Sequence, residues 1–201
     1  MKILVFDMYG VIIEESKGNF TPYVYSRFPN TDKAWYRSVY ENASKGIIDS
    51  DRFFRTLGFD DPDAVKRDYI ENHLTLDPAF TPFADEFGAK FDFALLSNDV
   101  LAWSEYIREF YGIGKYFREA VISANTGCRK PDSTIFEIAL ERLGVSANDC
   151  LFIDNSVANL RVAAEVGMDT VLFNRDGEKY DGKTVNSFAE LTEMLKEGKN
   201  E

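Results

Sequence analysis

Four residue types, far apart in the chain, can share one chemistry. Asp7 follows the apolar run Lys2-Ile3-Leu4-Val5-Phe6. Ser97, with Asn98 after it, ends the run Phe93-Ala94-Leu95-Leu96. Lys130 stands before Pro131, and Asp154 ends Cys150-Leu151-Phe152-Ile153. A nucleophilic carboxylate, a hydroxyl, an ammonium group and a second carboxylate form a set suited to phosphoryl transfer. Asp7 can attack phosphorus and split one hard displacement into two easier ones. Lys130 can hold the nucleophile and the phosphoryl oxygens against their mutual repulsion. Asp7 and Asp154 together suit Mg²⁺, a hard cation that prefers oxygen. Each residue alone has a plainer reading. Asp7 can cap a turn, Ser97-Asn98 can open a loop, Lys130 can be solvated, and Asp154 can cap the helix that follows it. It is their joint placement, mostly at strand ends, that argues for chemistry, because open α/β sheets bind ligands outside the carboxyl ends of their strands.

Short apolar runs predict strands at 3–6, 92–97, 119–123, 150–153 and 170–173. Helical stretches follow most of them, which implies an α/β fold with a doubly wound, parallel, five-stranded sheet. From Asp132 to Gly144, the residues Ile135, Phe136, Ala139, Leu140 and Leu143 recur at helical spacing, and Gly144 suits a helix end. Val157 to Gly167 repeats the form. The stretch from Ser187 to Lys196 reads as a last helix, with Ser187 as cap and Glu190 completing a capping box. The tail after Glu197 is expected to fray.

Residues 15–80 differ. They lack strand-like runs and predict helices near 20–28, 31–45, 50–57 and 61–73, punctuated by Pro29, Gly46, Gly58 and Pro62. The expected division is a core of residues 1–14 and 81–201 with a small helical cap over 15–80, inserted after the first strand. Trp35, Tyr36, Arg37 and Tyr40 sit on one of these helices. Packing of the aromatics is the plainer reading, with a substrate pocket as the alternative. Trp103 and Tyr106, after the second strand, read as packing.

Composition narrows the partners. The 201 residues suit one domain with a small insertion. A net charge of −11 disfavours nucleic acid and anionic membranes, and requires any phosphate site to be locally positive. No apolar run approaches the ~20 residues of a membrane span. The absence of a signal peptide, with only Cys128 and Cys150 as thiols, fits a reduced cytoplasm. The single histidine, His73, leaves little room for a multi-histidine metal site. The expected partner is a small-molecule phosphate, and the expected state a monomer or homodimer.

The set Asp7, Ser97, Lys130 and Asp154, with Asp154-Asn155-Ser156 and Asn159 after the fourth run, resembles the haloacid dehalogenase (HAD) superfamily. The resemblance covers roughly residues 1–14 and 80–175. It implies that Asp7 is the nucleophile and a ligand of Mg²⁺, and that Ser97 and Asn98 meet the phosphoryl group beside Lys130. It implies that Asp154 is the acidic metal ligand, with Asn155 and Asn159 orienting it or a metal-bound water.

The chain departs from the family pattern at Tyr9. HAD phosphatases usually carry a second aspartate there, which protonates the leaving oxygen and later activates water. The backbone carbonyl of Tyr9 can still ligate Mg²⁺, and Tyr9 itself, Glu14 or a metal-bound water is left to handle the proton. Glu14 and Glu15 lie in the following flap, and for both a solvated surface role is the plainer reading. Tyrosine at this position resembles the 2-haloacid dehalogenases, which need no acid. Those enzymes carry serine where Asp154 stands, asparagine and aspartate at the positions of Ser156 and Asn159, and tyrosine where Phe136 stands. A branch of sugar-phosphate phosphatases also lacks the second aspartate. The chain is similar to it in the Asp-x-x-x-Val-Ile opening and in Gly46-Ile-Ile-Asp-Ser-Asp-Arg-Phe. The expectation is therefore an Mg²⁺-dependent phosphatase of a small metabolite, such as a sugar phosphate. Its rivals are a metal-independent dehalogenase and a binding or regulatory protein with little turnover.

Overall fold

The computed structural model describes residues 3–16 and 20–197, so Lys2 and the tail beyond Glu197 lie outside the described residues. Strands β1 (Ile3–Phe6), β2 (Asp92–Ser97), β3 (Phe117–Ile122), β4 (Cys150–Asp154), β5 (Asp169–Phe173) and β6 (Lys183–Val185) form one sheet. Its order is β3-β2-β1-β4-β5-β6 and every pairing is parallel. The described sheet thus has six strands, not the five expected. The additional strand, β6, pairs with β5 at the edge. Two of its three residues are exposed, so it carries no apolar run to betray it.

The central strand is apolar throughout because both of its faces are covered. Alternation along β1 sends Leu4 and Phe6 into one core and Ile3 and Val5 into the other. The second core receives α7 (Ser133–Leu143) and α8 (Val157–Val166) through Ile135, Phe136, Leu160 and Ala163. The first receives α5 (Phe80–Phe87), α6 (Leu101–Phe110) and α9 (Phe188–Glu197). Phe80, Phe83 and Phe188 crowd around Phe6 there at ring separations of 6.0–6.4 Å.

Between β1 and β2 the chain forms α1 (Phe20–Arg27), α2 (Lys33–Ser44), α3 (Ser50–Thr56) and α4 (Pro62–His73). Three of these start at aspartate caps. Asp32, Asp49 and Asp61 each accept from a first-turn amide, at 2.8, 2.7 and 3.1 Å. Pro62 opens α4, where its missing N–H costs nothing. The four helices share the first core, with Phe20, Phe53, Phe54 and Tyr69 packing around Trp103 of α6. Among the described residues no helix is long and apolar enough to cross a membrane.

Candidate active site

Register places the two key carboxylates side by side. Phe6 of β1 pairs with Ile153 of β4, so Asp7 and Asp154 emerge together at the carboxyl ends of adjacent strands. Just after Asp7 the backbone turns at Gly10, with φ 76°. A Cβ there would lie 2.1 Å from Asn155 Nδ2, so only glycine lets the loops after β1 and β4 approach.

Lys130 joins the cluster from the loop before α7. Its Nζ donates to Asp154 Oδ2 at 2.8 Å and to the Leu96 carbonyl at 2.7 Å, and it lies 2.9 Å from Asp7 Oδ1. All three ammonium protons are therefore placed. Asn98 fixes the lysine's backbone. Its amide oxygen accepts from Lys130 N and its amide nitrogen donates to Lys130 O, both at 2.8 Å. Asp154, wholly buried, also accepts from Ser156 N at 2.7 Å and from Asn159 Nδ2 at 3.0 Å. Asp154 is the last residue of β4, and the cap position of α8 belongs to Ser156. Asn155 turns instead to Asp176, at 3.0 Å.

Two carboxylates share one ammonium, and the charges show it. Burial raises Asp7 to about 6. Lys130 draws it down, and Asp154 pushes it up again. For Lys130, burial alone would lower the pKa, but Asp154 and Asp7 outweigh it and hold the lysine above its ordinary range. The lysine is charged at neutral pH, and two carboxyl groups meet its single ammonium.

Two carboxyl groups with one ammonium between them suit a divalent cation. Among the described residues no cluster of three or more histidine, cysteine, aspartate or glutamate side chains is arranged to hold a metal. Mg²⁺ does not need one, because it is usually held by one or two carboxylates and keeps several waters. Both described contacts of Asp7, from Met8 N at 2.8 Å and from Lys130, fall on Oδ1 and leave Oδ2 uncommitted. The donor set therefore fits Mg²⁺.

A cavity of about 260 Å³ opens over this cluster. Asp7, Tyr9, Asn98 and Lys130 line it, together with Arg129 and a group of aromatic rings. Ser97 is wholly buried at the end of β2 and is not among the lining residues; its Oγ has no hydrogen-bond partner. Glu14 is exposed and lies outside the lining. Glu15 is committed to Thr75, through the backbone N at 2.8 Å and Oγ1 at 2.9 Å.

The structure adds residues that sequence reasoning passed over. Asp99 is wholly buried and accepts a hydrogen bond from the Tyr9 hydroxyl. Its position directly after Ser97-Asn98 was the only signal available. Arg129, next to Lys130 in the chain, lines the cavity, its guanidinium 5.6 Å from the Tyr40 ring centre. Trp103, expected only to pack, borders the cavity as well, and so does Tyr69. On α2, Tyr36 and Arg37 line a second cavity beside the first, whereas Trp35 is exposed.

Residues 1–167 match the model of the hydrolase family described as haloacid dehalogenase-like hydrolase. The glyceraldehyde 3-phosphate phosphatase of Methanopyrus kandleri is 31% identical over 62% of this chain and 58% of its own length. The (S)-2-haloacid dehalogenase of Pseudomonas fluorescens is 24% identical over 94% of this chain and 93% of its own. A HAD-family enzyme of Bacteroides thetaiotaomicron, solved in complex with magnesium and inorganic phosphate, superposes with a TM-score of 0.71. It is 20% identical, and the match covers 90% of this chain and 98% of that one. The chain spans about half the length of the first curated relatives it matches.

Proposed function

The chain belongs to the haloacid dehalogenase-like hydrolase family, and we propose that it is an Mg²⁺-dependent phosphatase of a small phosphorylated metabolite, such as a sugar phosphate, working through an aspartyl-phosphate on Asp7. The observation that carries this reading is the single ammonium of Lys130 lying between Asp7 Oδ1 and Asp154 Oδ2. A dehalogenase needs the nucleophile and the lysine. A second carboxyl group buried beside them leaves two to share one ammonium, a surplus that a divalent cation would offset.

In this reading Asp7 attacks phosphorus, the bond from phosphorus to the leaving oxygen breaks, and the alkoxide departs, taking its proton from water. Water then attacks the phosphorus of the aspartyl-phosphate, releasing phosphate and restoring the carboxylate. Lys130 offsets the charge of the nucleophile and of the phosphoryl oxygens. Ser97 and Asn98 flank the phosphoryl group, Ser97 through its unpartnered hydroxyl and Asn98 by holding Lys130. The carboxylates of Asp7 and Asp154 and the carbonyl of Tyr9 would hold Mg²⁺. When bound, the ion supplies positive charge against the phosphoryl oxygens. Helices α1 to α4 act as a cap over a core of residues 1–14 and 81–201, so the substrate's alcohol meets residues of both.

The second reading, a 2-haloacid dehalogenase, is favoured by Tyr9 and by the aromatic wall of the cavity. One experiment separates the two. The protein is assayed with p-nitrophenyl phosphate, a panel of sugar phosphates and 2-chloropropionate, each with Mg²⁺ and with EDTA. Phosphate release that EDTA abolishes supports the phosphatase. Chloride release that survives EDTA, without phosphate release, overturns it.

A further inference from the structure

The wall of the cavity facing Asp7 is aromatic, yet it is not chemically inert. Tyr69 of α4 and Trp103 of α6 both line it, and the two residues are 1% and 2% exposed. The Tyr69 hydroxyl and Trp103 Nε1 both lack a hydrogen-bond partner. Buried tyrosine and tryptophan usually find one, and buried polar groups of any kind are rarely left alone. Here two residues that carry unpartnered groups line one cavity, on helices from the inserted segment and from the segment after β2. Packing alone would be met by phenylalanine, which the chain uses at Phe20, Phe53 and Phe54 around the same tryptophan. The Trp103 ring is stacked on Phe54 at 5.3 Å, so its plane is fixed before any ligand arrives.

We propose that Tyr69 and Trp103 determine specificity for the leaving group, donating hydrogen bonds to oxygen atoms of a polyoxygenated alcohol esterified to phosphate. The proposal rests on the phosphatase reading and adds to it the chemistry of the alcohol. Hydroxyl or carbonyl oxygens satisfy both donors. A hydrocarbon chain of equal length leaves them unpaired and is rejected for that reason.

The test uses matched three-carbon esters: glycerol 3-phosphate and dihydroxyacetone phosphate against n-propyl phosphate, with Mg²⁺. Wild-type protein is expected to favour at least one oxygenated ester over n-propyl phosphate by tenfold or more in kcat/KM. Tyr69→Phe removes one oxygen atom and nothing else. Trp103→Phe removes the N–H and part of the ring. Each is expected to lower kcat/KM for the favoured ester about tenfold and to leave n-propyl phosphate within threefold, which also shows that the variant is folded. Equal losses on both kinds of ester would mean that these residues only pack, and would overturn the proposal. So would Tyr69→Phe with no loss on the favoured ester, or wild type without a preference. These outcomes leave the phosphatase reading standing, because the esters are still hydrolysed. Absence of phosphate release from every ester and from p-nitrophenyl phosphate would overturn both.

Discussion

The Tyr9 hydroxyl donates a hydrogen bond to Asp99 Oδ2 at 3.1 Å. The side chain standing where HAD phosphatases usually carry their second aspartate is therefore tied to a carboxylate that follows the neighbouring strand. The Asp99 carboxyl also receives the Val100 amide on Oδ1, at 2.8 Å. Burial raises Asp99 to about 8. The Val100 amide and the Tyr9 hydroxyl draw it down, Asp7 pushes it up, and Arg108 draws it down. Burial, then Asp99, lifts Tyr9 well above the ordinary phenol range. Near neutral pH the pair thus retains its protons.

That raised carboxyl makes a prediction about stability. Folded, Asp99 holds its proton up to a pH of about 8, whereas in the unfolded chain it releases it near the ordinary value of about 4. The folded state binds more protons across this window, so the stabilisation is complete below pH 4 and is lost as pH rises toward 8. Asp99→Asn keeps an oxygen for the Val100 amide, offers the Tyr9 hydroxyl an NH2 to accept from in place of the second oxygen, and removes the titration. Thermal melts in EDTA should show the variant gaining on wild type steadily from pH 4.5 to 8.5. Parallel curves would mean that Asp99 titrates normally.

Asp7→Asn should lower turnover by several powers of ten, as removal of a nucleophile does, with the melting temperature changed by only a few degrees. The wild type carries a second signature. With Asp7 raised to about 6, a cation binding its carboxylate displaces a proton at pH 6 and almost none at pH 8. Calorimetric Mg²⁺ titrations in two buffers of different ionisation enthalpy should reveal that release in wild type and its loss in Asp7→Asn. Turnover of the variant within tenfold of wild type would exclude the covalent route.

Asp154→Asn should weaken Mg²⁺ binding by at least tenfold. The substitution preserves an acceptor for Ser156 N, and it leaves Lys130 paired with Asp7 alone. Asp154→Ala is the harsher change, because it also leaves Ser156 N and Asn159 Nδ2 without their acceptor. Unchanged Mg²⁺ affinity in Asp154→Asn would take this carboxylate out of the metal site.

What the sequence displays and what it hides follow from the range of each interaction. Asp7, Ser97 and Asp154 end apolar runs, and such runs are local. Lys130 is marked by Pro131 beside it. Helix α5 is hidden by Pro82, which resembles a break; yet it lies in the first turn, where a missing N–H is harmless. Strand β6 is hidden because Lys183 and Thr184 are exposed, and only pairing with β5 makes it a strand. Asp99 and Tyr69 show no pattern at all. Their meaning arises from Tyr9, 90 residues before Asp99, and from a cavity assembled by separate helices. Glu14, one of several groups the sequence leaves as proton donor, has an exposed side chain.

Tyr9→Asp tests the departure from the family pattern directly. The substitution cuts the bond to Asp99 and installs a carboxyl group at the cavity lining. Three carboxyl groups, at 7, 9 and 99, would then lie close together, and like charges raise one another's pKa. The new group should therefore hold a proton near neutral pH, as a general acid must. A positioned acid contributes about 10² to 10⁴ in rate. The benefit should appear with poor leaving groups such as sugar alkoxides and nearly vanish with p-nitrophenolate, which departs without a proton. Turnover of an alkyl ester relative to p-nitrophenyl phosphate should accordingly rise at least tenfold at saturating Mg²⁺. Glu14→Gln, outside the cavity, should leave that ratio unchanged. If Tyr9→Asp does not move the ratio, proton delivery does not limit the rate; if Glu14→Gln lowers it, the exposed flap carboxylate is the acid after all.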